Sequence, residues 1–256
     1  MNAPNTSSGE KELYAEIRKA IAERRLLPGK KLTEEALAKL FDVSRARVRK
    51  ILLILSKEHM VTLQPNKGAY VWQPTADEAR KILDSRRLVE LYLVEQAAMS
   101  ATKKQLNSLQ KIIDDEKVAL ANNDRAAVMR LSGDFHIALG KCGANYILQE
   151  FLESLISQSY LILATYQVRD GSSCPQTDHA DILARVVAKD AKGASEILAR
   201  HFDHIEADLD LIDADESVVD LSEILRSKGP RPQRTSEREE PGHIQKPRTT
   251  ANRAPS

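Results

Sequence analysis

Apolar residues recur at helical spacing in three segments of the first 60 residues. The first predicted helix runs from about Glu10 to Arg25 and stops before the breaker pair Pro28-Gly29. The second is the short stretch EEALAKLF, which Thr33 precedes as a candidate N-cap. The third begins after Ser44, whose hydroxyl can accept from free backbone N–H groups. Its later turns carry the apolar run ILLIL, so we expect that part to pack on the first two helices.

Two β-branched stretches follow the third helix. MVTLQ and GAYVW flank the turn-forming sequence Pro65-Asn66-Lys67-Gly68, and together they predict a β-hairpin. Three helices and a hairpin within about 65 residues describe a winged helix-turn-helix, which we assign to residues 9–74.

After Pro74 the strand pattern gives way to long amphipathic segments. Six helices are predicted, over residues 75–101, 103–122, 124–142, 145–167, 176–189 and 191–213. Such helices, joined by short polar turns, favour an antiparallel bundle, and we assign residues 75–225 to this all-helical domain. Residues 1–8 and 226–256 have little to bury and are predicted to be disordered. The expected fold class is mainly α, with a small β-hairpin wing on the N-terminal winged helix-turn-helix.

The formal charge of +1 hides an uneven distribution. Residues 1–75 carry 14 Lys and Arg against 8 Asp and Glu, whereas residues 76–225 carry 16 against 26. A basic N-terminal part on an acidic body indicates a polyanion as the partner of the N-terminal part. Cys142 and Cys174 form no CxxC motif, and no apolar run reaches the ~18 residues of a membrane span. Without a signal-peptide pattern, the chain is predicted to be cytoplasmic and to have no membrane partner.

The start of the third helix is unusually basic. Arg45 and Arg49 lie one turn apart on one face, while Arg47 points roughly 160° away. The N-terminal turns of a recognition helix enter the major groove of double-stranded DNA, where Arg donates paired hydrogen bonds to guanine. We therefore expect Arg45 and Arg49 to read bases and Arg47 to meet a phosphate. The other predicted DNA contacts, in the flanking loop, the cap and the wing, are Lys30, Lys31, Ser44, Asn66, Lys67 and Gly68.

The alternative, a solvated basic helix, leaves the adjoining hairpin unexplained. The stretch LLPGKKLTEEALAKLFDVSRARVRKILLILSKEHMVTLQPNKGAYV resembles the DNA-binding domain of the GntR family of bacterial transcription regulators. It departs from that family's usual pattern at Arg47, where Pro is preferred, and at Lys50, where Glu is usual. A third departure is His59-Met60, where the family has Gly-Leu. The two added positive charges are expected to raise general DNA affinity more than specificity.

The helical body resembles the ligand-binding domain of the FadR subgroup of the same family. The resemblance rests on SRRLVELYLVEQAA (85–98), DFHIALGKCGAN (134–145) and DHADILARVVAKDAKGASEILARHFDHI (178–205). Many members hold a divalent metal through one Asp and three His, and bind a small organic acid beside it. The resemblance carries the three histidines over to His136, His179 and His201, whereas Ser132 stands where the Asp is expected.

Three neutral imidazoles can still bind Zn²⁺ or Ni²⁺, and we expect weaker binding without the carboxylate. The alternatives are a polar pocket without metal, and histidines with no ligand role. A body that carries His and Arg suits a carboxylate effector, for which Arg86, Arg87 and Ser132 are the candidate contacts. Arg86 can instead pair with Glu90, one helical turn away.

The leading hypothesis is a homodimeric transcription repressor that binds a near-palindromic operator, responds to a small organic acid and is not an enzyme. One alternative is a metal-dependent, hydrolase-like enzyme with a fused DNA-binding domain, because an open metal position can activate water. The chain has none of the motifs Gly-X-Ser-X-Gly, phosphate loop or His-Glu-X-X-His. The other alternative is an architectural DNA-binding dimer that needs no ligand. The operator sequence, the effector and the metal stay open.

Overall fold

The computed structural model describes residues 8–168 and 176–211. Its N-terminal part contains three helices and three short strands. In chain order they are α1 (Ser8–Ala22), β1 (Lys31–Leu32), α2 (Glu34–Leu40), α3 (Arg45–Lys57), β2 (Val61–Gln64) and β3 (Gly68–Val71). This arrangement confirms the predicted winged helix-turn-helix.

The first helix is shorter at its C-terminus than the sequence predicts. It ends at Ala22 rather than near Arg25, because Arg24 adopts a left-handed backbone conformation with φ 55°. The turn directs the Arg24 guanidinium to the backbone carbonyl of Leu163, 3.0 Å away. At the second helix, Thr33 holds the N-cap position with extended backbone, but its side chain makes no capping hydrogen bond. At the third, Ser44 caps α3 as predicted, accepting from the backbone N–H of Arg47.

The predicted hairpin is formed by β2 and β3. A further strand, β1, pairs with β3, so the wing is a three-stranded antiparallel sheet with strand order β1-β3-β2. The hairpin turn closes with the Lys67 N–H donating to the Gln64 carbonyl at 3.1 Å, and Asn66 takes φ 60°. Pro65 before a residue with positive φ is the sequence of a type II turn. The added strand β1 pairs Lys31 with Tyr70 and Leu32 with Ala69. Two residues are too few to show an alternating pattern, so the sequence could not predict this strand.

After the C-terminus of α3, a non-glycine residue adopts a left-handed backbone conformation. His59 has φ 55°, while the next residue, Met60, donates its N–H to the Leu55 carbonyl at 2.9 Å. This is the Schellman arrangement, in which glycine is preferred at the left-handed position. The departure from Gly at position 59 therefore introduces local backbone strain, although the His59 ring also lies edge-on to Trp72 with centroids 6.1 Å apart.

Replacing His59 with glycine is expected to raise the free energy of unfolding by about 0.5–1 kcal/mol. The left-handed conformation costs an L-residue about 1–2 kcal/mol, which glycine avoids. Glycine also loses more conformational entropy on folding, and this offsets part of the gain. The urea midpoint at constant m-value measures the change. Lys57→Gly, in the last turn of the same helix, is the matched control and should lower the midpoint instead. A lower midpoint for His59→Gly would show that the ring contact outweighs the strain.

The remaining described residues fold into six helices. Their boundaries follow the predicted ones closely, except that the last helix ends at Ala207 rather than at residue 213. The helices are α4 (Ala76–Ser100), α5 (Lys103–Ala121), α6 (Arg125–Cys142), α7 (Tyr146–Tyr166), α8 (Gln176–Val187) and α9 (Ala191–Ala207). The polar residues between them act as caps, and Thr75 and Thr102 each form a full capping box. Asn145 caps α7 through its side chain, so it begins a helix as the sequence indicated.

Two main apolar clusters lie beneath these elements. One is built by the inward faces of all six helices from α4 to α9, around the fully buried rings of Phe135 and Phe202. The other holds α1, α3 and the wing together, and it includes Leu161 of α7. Because that side chain of the helical body is buried among residues of the winged helix, the two parts share a packed junction.

Several predictions concern residues that the structure does not describe. The disordered N-terminus was predicted for residues 1–8, of which residues 1–7 lie outside the described part, as do the tail 226–256 and Cys174. Cys142 is a buried free cysteine, and burial raises the pKa of its thiol to about 11. None of the described helices is both long and apolar enough to cross a membrane.

Candidate functional site

The DNA-facing candidates on α3 are exposed, and each is paired with a carboxylate of the same domain. Arg45 lies 3.2 Å from Glu35, and Arg49 donates to Glu34 at 2.7 Å; both glutamates belong to α2. Exposed pairs of this kind contribute little to stability, so their arginines can exchange a carboxylate for another acceptor. The structure therefore places Arg45 and Arg49 together at the exposed start of α3, as predicted.

Arg47 has a different environment. Its guanidinium lies 3.3 Å from the carboxylate of Glu10 in the first turn of α1. The other predicted contacts in the loop, the cap and the wing are exposed: Lys30, Lys31, Ser44, Asn66, Lys67 and Gly68. Lys31 also lies over the ring of Tyr70, with 5.7 Å between its Nζ and the ring centroid.

The three predicted metal ligands meet in the interior of the helical body. His136 comes from α6, His179 from α8 and His201 from α9, and all three are buried. The centroids of the His136 and His201 rings are 5.0 Å apart, as are those of His179 and His201. One ring nitrogen from each histidine lies within 4.8 Å of those from the other two. Three helices thus bring three imidazoles to one point.

A carboxylate lies against the Nδ1 atom of each of these rings. Glu90 of α4 is 2.5 Å from His136 Nδ1, and Glu116 of α5 is 2.9 Å from His179 Nδ1. Asp178 of α8 is 3.3 Å from His201 Nδ1, and it also accepts from His204 at 3.1 Å. Histidines that bind metals commonly donate their second N–H to a carboxylate, which fixes the tautomer and orients the ring.

The sequence did not predict this outer set of acids, and it indicated Glu90 only as a partner of Arg86. A signal was present for Glu116, which continues the apolar face of Leu109 and Ile113 at helical spacing and is itself buried. An acid at a core position needs a buried partner, and a histidine of a neighbouring helix is one. For Asp178 the only signal was its place directly before His179.

The carboxylates decide which nitrogen faces the centre of the cluster. A neutral imidazole that donates from Nδ1 keeps a lone pair on Nε2. His136 Nε2 and His201 Nε2 are 3.1 Å apart, and the buried Nε2 of His179 has no hydrogen-bond partner among the described residues. Two converging lone pairs and an unsatisfied buried nitrogen are unfavourable unless a cation lies between them.

The three Nε2 atoms are therefore suited to bind a divalent metal. Two nitrogens that bind one ion at 2.0–2.1 Å are about 2.8–3.0 Å apart in octahedral geometry and about 3.3–3.4 Å apart in tetrahedral geometry. The 3.1 Å between His136 Nε2 and His201 Nε2 lies between these two values. Burial lowers the pKa of His136 to about 3, and burial also lowers the pKa of His201, each against the pull of its carboxylate. Both rings are therefore neutral at pH 7, which is the form that binds metal.

Ser132 is half-buried, one turn before His136 on α6. Asp134, two residues before His136, pairs with Arg130 at 3.1 Å and does not join the histidine cluster. His204 bonds to Asp178 and is not a member of the three-histidine group.

Arg86 and Arg87 both have partners within the protein. The Nε of Arg86 donates to Glu90 at 2.5 Å, and this ion pair is buried. Arg87 is half-buried and binds Asp203 and the Ala199 carbonyl of α9. The pairing of Arg86 with Glu90, one of the two possibilities in the sequence, is thus present. Burial alone would raise the pKa of Glu90, but Arg86 and His136 outweigh it and hold that pKa at about 2.

Comparisons with known proteins agree with this architecture. Residues 10–71 match the model of bacterial regulatory proteins of the gntR family, and residues 81–204 match the FCD domain. The Uxu operon regulator of Haemophilus influenzae is 28% identical over 196 residues, which are 69% of this chain and 72% of the relative. The transcriptional repressor RspR of Escherichia coli is 22% identical over 203 residues, 78% of this chain and 88% of the relative.

A solved structure has the same fold. E. coli McbR/YncC superposes with a TM-score of 0.70 at 21% identity, and the match covers 79% of this chain and 97% of that one. The winged helix-turn-helix and the helical body define a DNA-binding transcription regulator. The chain belongs to the GntR family, and its body is the FadR-like FCD domain. Since the members of this family are regulators, the hydrolase alternative falls away.

Proposed function

We propose that this regulator is a homodimeric repressor that acts on DNA in the cytoplasm. It binds a near-palindromic operator through α3 and the wing, and responds to a small organic acid held near a divalent metal in the helical body. The observation that carries the metal part is the convergence of the His136 and His201 Nε2 atoms at 3.1 Å, with the unpartnered Nε2 of His179 beside them. Repression is proposed because the relative RspR is named a repressor.

The start of α3 supports the DNA-reading part of the proposal. Arg45 and Arg49 are exposed there, one helical turn apart, and Ser44 at the N-cap offers a hydroxyl to a phosphate. The flanking groups proposed to contact the DNA backbone are Lys30 and Lys31 in the loop and Asn66, Lys67 and Gly68 in the wing. Arg47 can join them only by leaving Glu10.

Replacing Arg49 or Arg45 with alanine is expected to cost about 1–3 kcal/mol in specific DNA binding, because each removes a paired contact to a guanine. The probe is a duplex selected by the wild-type protein from a random-sequence pool, compared with a scrambled duplex of equal length in gel-shift titrations. Lys57→Ala, at the far end of the same helix, removes an equal charge and serves as the control. Equal losses on the selected and scrambled duplexes would overturn the base-reading role.

The histidine cluster supports the ligand-binding part. His136, His179 and His201 would hold the metal, and the bound ion would supply a positive centre for an anionic ligand oxygen. Arg86 is suited to bind a ligand carboxylate beside the metal, because among the described residues its guanidinium makes a single hydrogen bond, through Nε. Its two terminal amino groups can therefore serve a bidentate acceptor. Ser132 and Arg87 are the further proposed contacts, with Arg87 the weaker because Asp203 already binds it.

Exposed apolar side chains support assembly of two copies. Leu88, Tyr92 and Met99 of α4 recur on one face of that helix and are exposed. Three further large apolar side chains are exposed in the first turns of α7: Tyr146, Ile147 and Phe151. Monomeric proteins rarely leave many large apolar groups uncovered, so a second copy is their proposed cover. A two-fold dimer would also match a near-palindromic operator.

A polar network at the junction supports coupling between the pocket and α3. Arg18 of α1 donates to Glu58, directly after α3, at 3.0 Å and to Ser157 of α7 at 2.6 Å. One turn further along α7, the Tyr160 hydroxyl packs so closely on Gly133 of α6 that a Cβ has no room there. Gly133 lies three residues before His136, so a ligand that shifts α6 acts on α7 and on the end of α3. The expected readout is a change in affinity for the selected duplex when small carboxylates and Zn²⁺ are added together.

A further inference from the structure

The two basic departures on the recognition helix share one partner. Arg47 and Lys50 both lie 3.3 Å from the carboxylate of Glu10, each on a different oxygen. The Glu10 side chain is only 7% exposed, whereas those of Arg47 and Lys50 are 51% and 47% exposed. The two cations therefore cover a buried carboxylate in the first turn of α1.

The start of α1 packs very closely against the turn before α3, and this close packing makes the contact possible. A Cβ on Gly9 would lie 2.8 Å from Val43 Cγ1 and 3.2 Å from the Phe41 carbonyl oxygen. Only glycine allows α1 to approach the turn before α3 so closely. The approach brings the next residue, Glu10, within reach of the first two turns of α3.

Glu10 differs in burial from the acids that hold the base-reading arginines. The partners of Arg49 and Arg45 are Glu34 and Glu35, whose side chains are 34% and 79% exposed. When a phosphate or base takes those arginines, water solvates the released carboxylates. When DNA takes Arg47 or Lys50, Glu10 is left as a buried charge without its cations, which is costly.

We propose that Glu10 is a positioning residue for DNA recognition, which competes with backbone phosphates for Arg47 and Lys50. It keeps these two cations out of sequence-independent binding, while Arg45 and Arg49 stay available to bases. The added charges at positions 47 and 50 therefore raise general DNA affinity less than the sequence alone predicts. This inference rests on the proposed docking of α3 on DNA.

The first experiment compares Glu10→Gln with Glu12→Gln in the full-length protein. Glu12 is exposed on the same helix turn, so its substitution changes the net charge equally. Binding to a scrambled 20-bp duplex is measured as a function of salt concentration. Each phosphate contact adds about 0.9 to the slope of log K against log salt. We expect Glu10→Gln to steepen the slope by about 1–2 and to reduce the preference for a selected duplex. An equal change in Glu12→Gln would overturn the proposal.

A second arm leaves Glu10 in place, so that it stays informative if Glu10→Gln does not fold. The double substitution Arg47→Ala and Lys50→Ala is expected to flatten the slope by less than about 1, because both cations are already engaged. A loss of about 2 would show that both contact phosphates freely, and would overturn the proposal. If Arg49→Ala also left the preference for the selected duplex unchanged, the docking of α3 itself would be wrong. If only the Glu10 variants gave the contradicting results, the role of Glu10 would be wrong and the proposed docking of α3 on DNA would still hold.

Discussion

Substitution of His201 by alanine is expected to abolish stabilisation of the protein by Zn²⁺. The wild-type chain, stripped of metal and made without a histidine tag, should bind one divalent ion per subunit. An ion at 100 times its dissociation constant should raise the free energy of unfolding by about 2.7 kcal/mol. His201 supplies one of the two nitrogens that are 3.1 Å apart, so its loss leaves two imidazoles at the centre. Thermal unfolding with and without Zn²⁺ or Ni²⁺, with calorimetric titration for stoichiometry, measures the effect.

The control for this prediction is His204→Ala. His204 and His201 bond to the same oxygen of Asp178, but only His201 belongs to the three-histidine group. His204→Ala should therefore keep the response to metal. Equal responses in the wild type and in His201→Ala would show that the cluster is not the metal site.

Two further substitutions examine the charges around the site. Glu116→Gln should weaken the affinity for the metal about 10–100-fold, because the acid orients His179 and balances the charge of the ion. Ser132→Asp should strengthen binding, since it restores a carboxylate one turn from His136. If Ser132→Asp responded to metal and the wild type did not, the wild-type pocket would bind its ligand through hydrogen bonds alone, without a metal.

The sequence was sufficient to predict most of the fold, because its helices are amphipathic and their ends carry caps. The boundaries of α4 and α6 were predicted to within one residue, since Thr75 and Asp124 are strong N-caps at their starts. The departures arose where tertiary contacts decided the conformation. Arg24 left the helical conformation in a turn that brings it to α7, and β1 exists only through its pairing with β3.

The site was predictable in its histidines and not in its acids. The three histidines came from the resemblance to the FadR subgroup, whereas the partners of their Nδ1 atoms come from other elements of the bundle. Such pairs depend on how helices are arranged in space, which periodicity along one helix does not contain. The same reason explains Glu10, whose partners are 37 and 40 residues further along the chain.

Replacing Arg86 with methionine is expected to lower the free energy of unfolding by about 3–5 kcal/mol, measured on metal-free protein by urea unfolding at pH 7. The guanidinium is the cation of a buried ion pair, 2.5 Å from Glu90, and it also lies 5.3 Å from the centroid of the Phe202 ring. Methionine fills a similar volume, so the loss reports on the unpaired carboxylate rather than on a cavity. Glu90 would then have only His136 as a hydrogen-bond partner among the described residues.

Arg87→Met, one position along α4, is the matched control for this prediction. Arg87 is half-exposed and pairs with the exposed Asp203, so its loss should cost no more than about 1 kcal/mol. Arg86→Lys should recover part of the lost stability, because it restores the charge but not the planar donor fork. A small effect of Arg86→Met, close to that of Arg87→Met, would show that Glu90 is protonated or solvated when Arg86 is absent. In that case Arg86 contributes little to the fold, and its burial beside the histidines is explained by ligand binding instead.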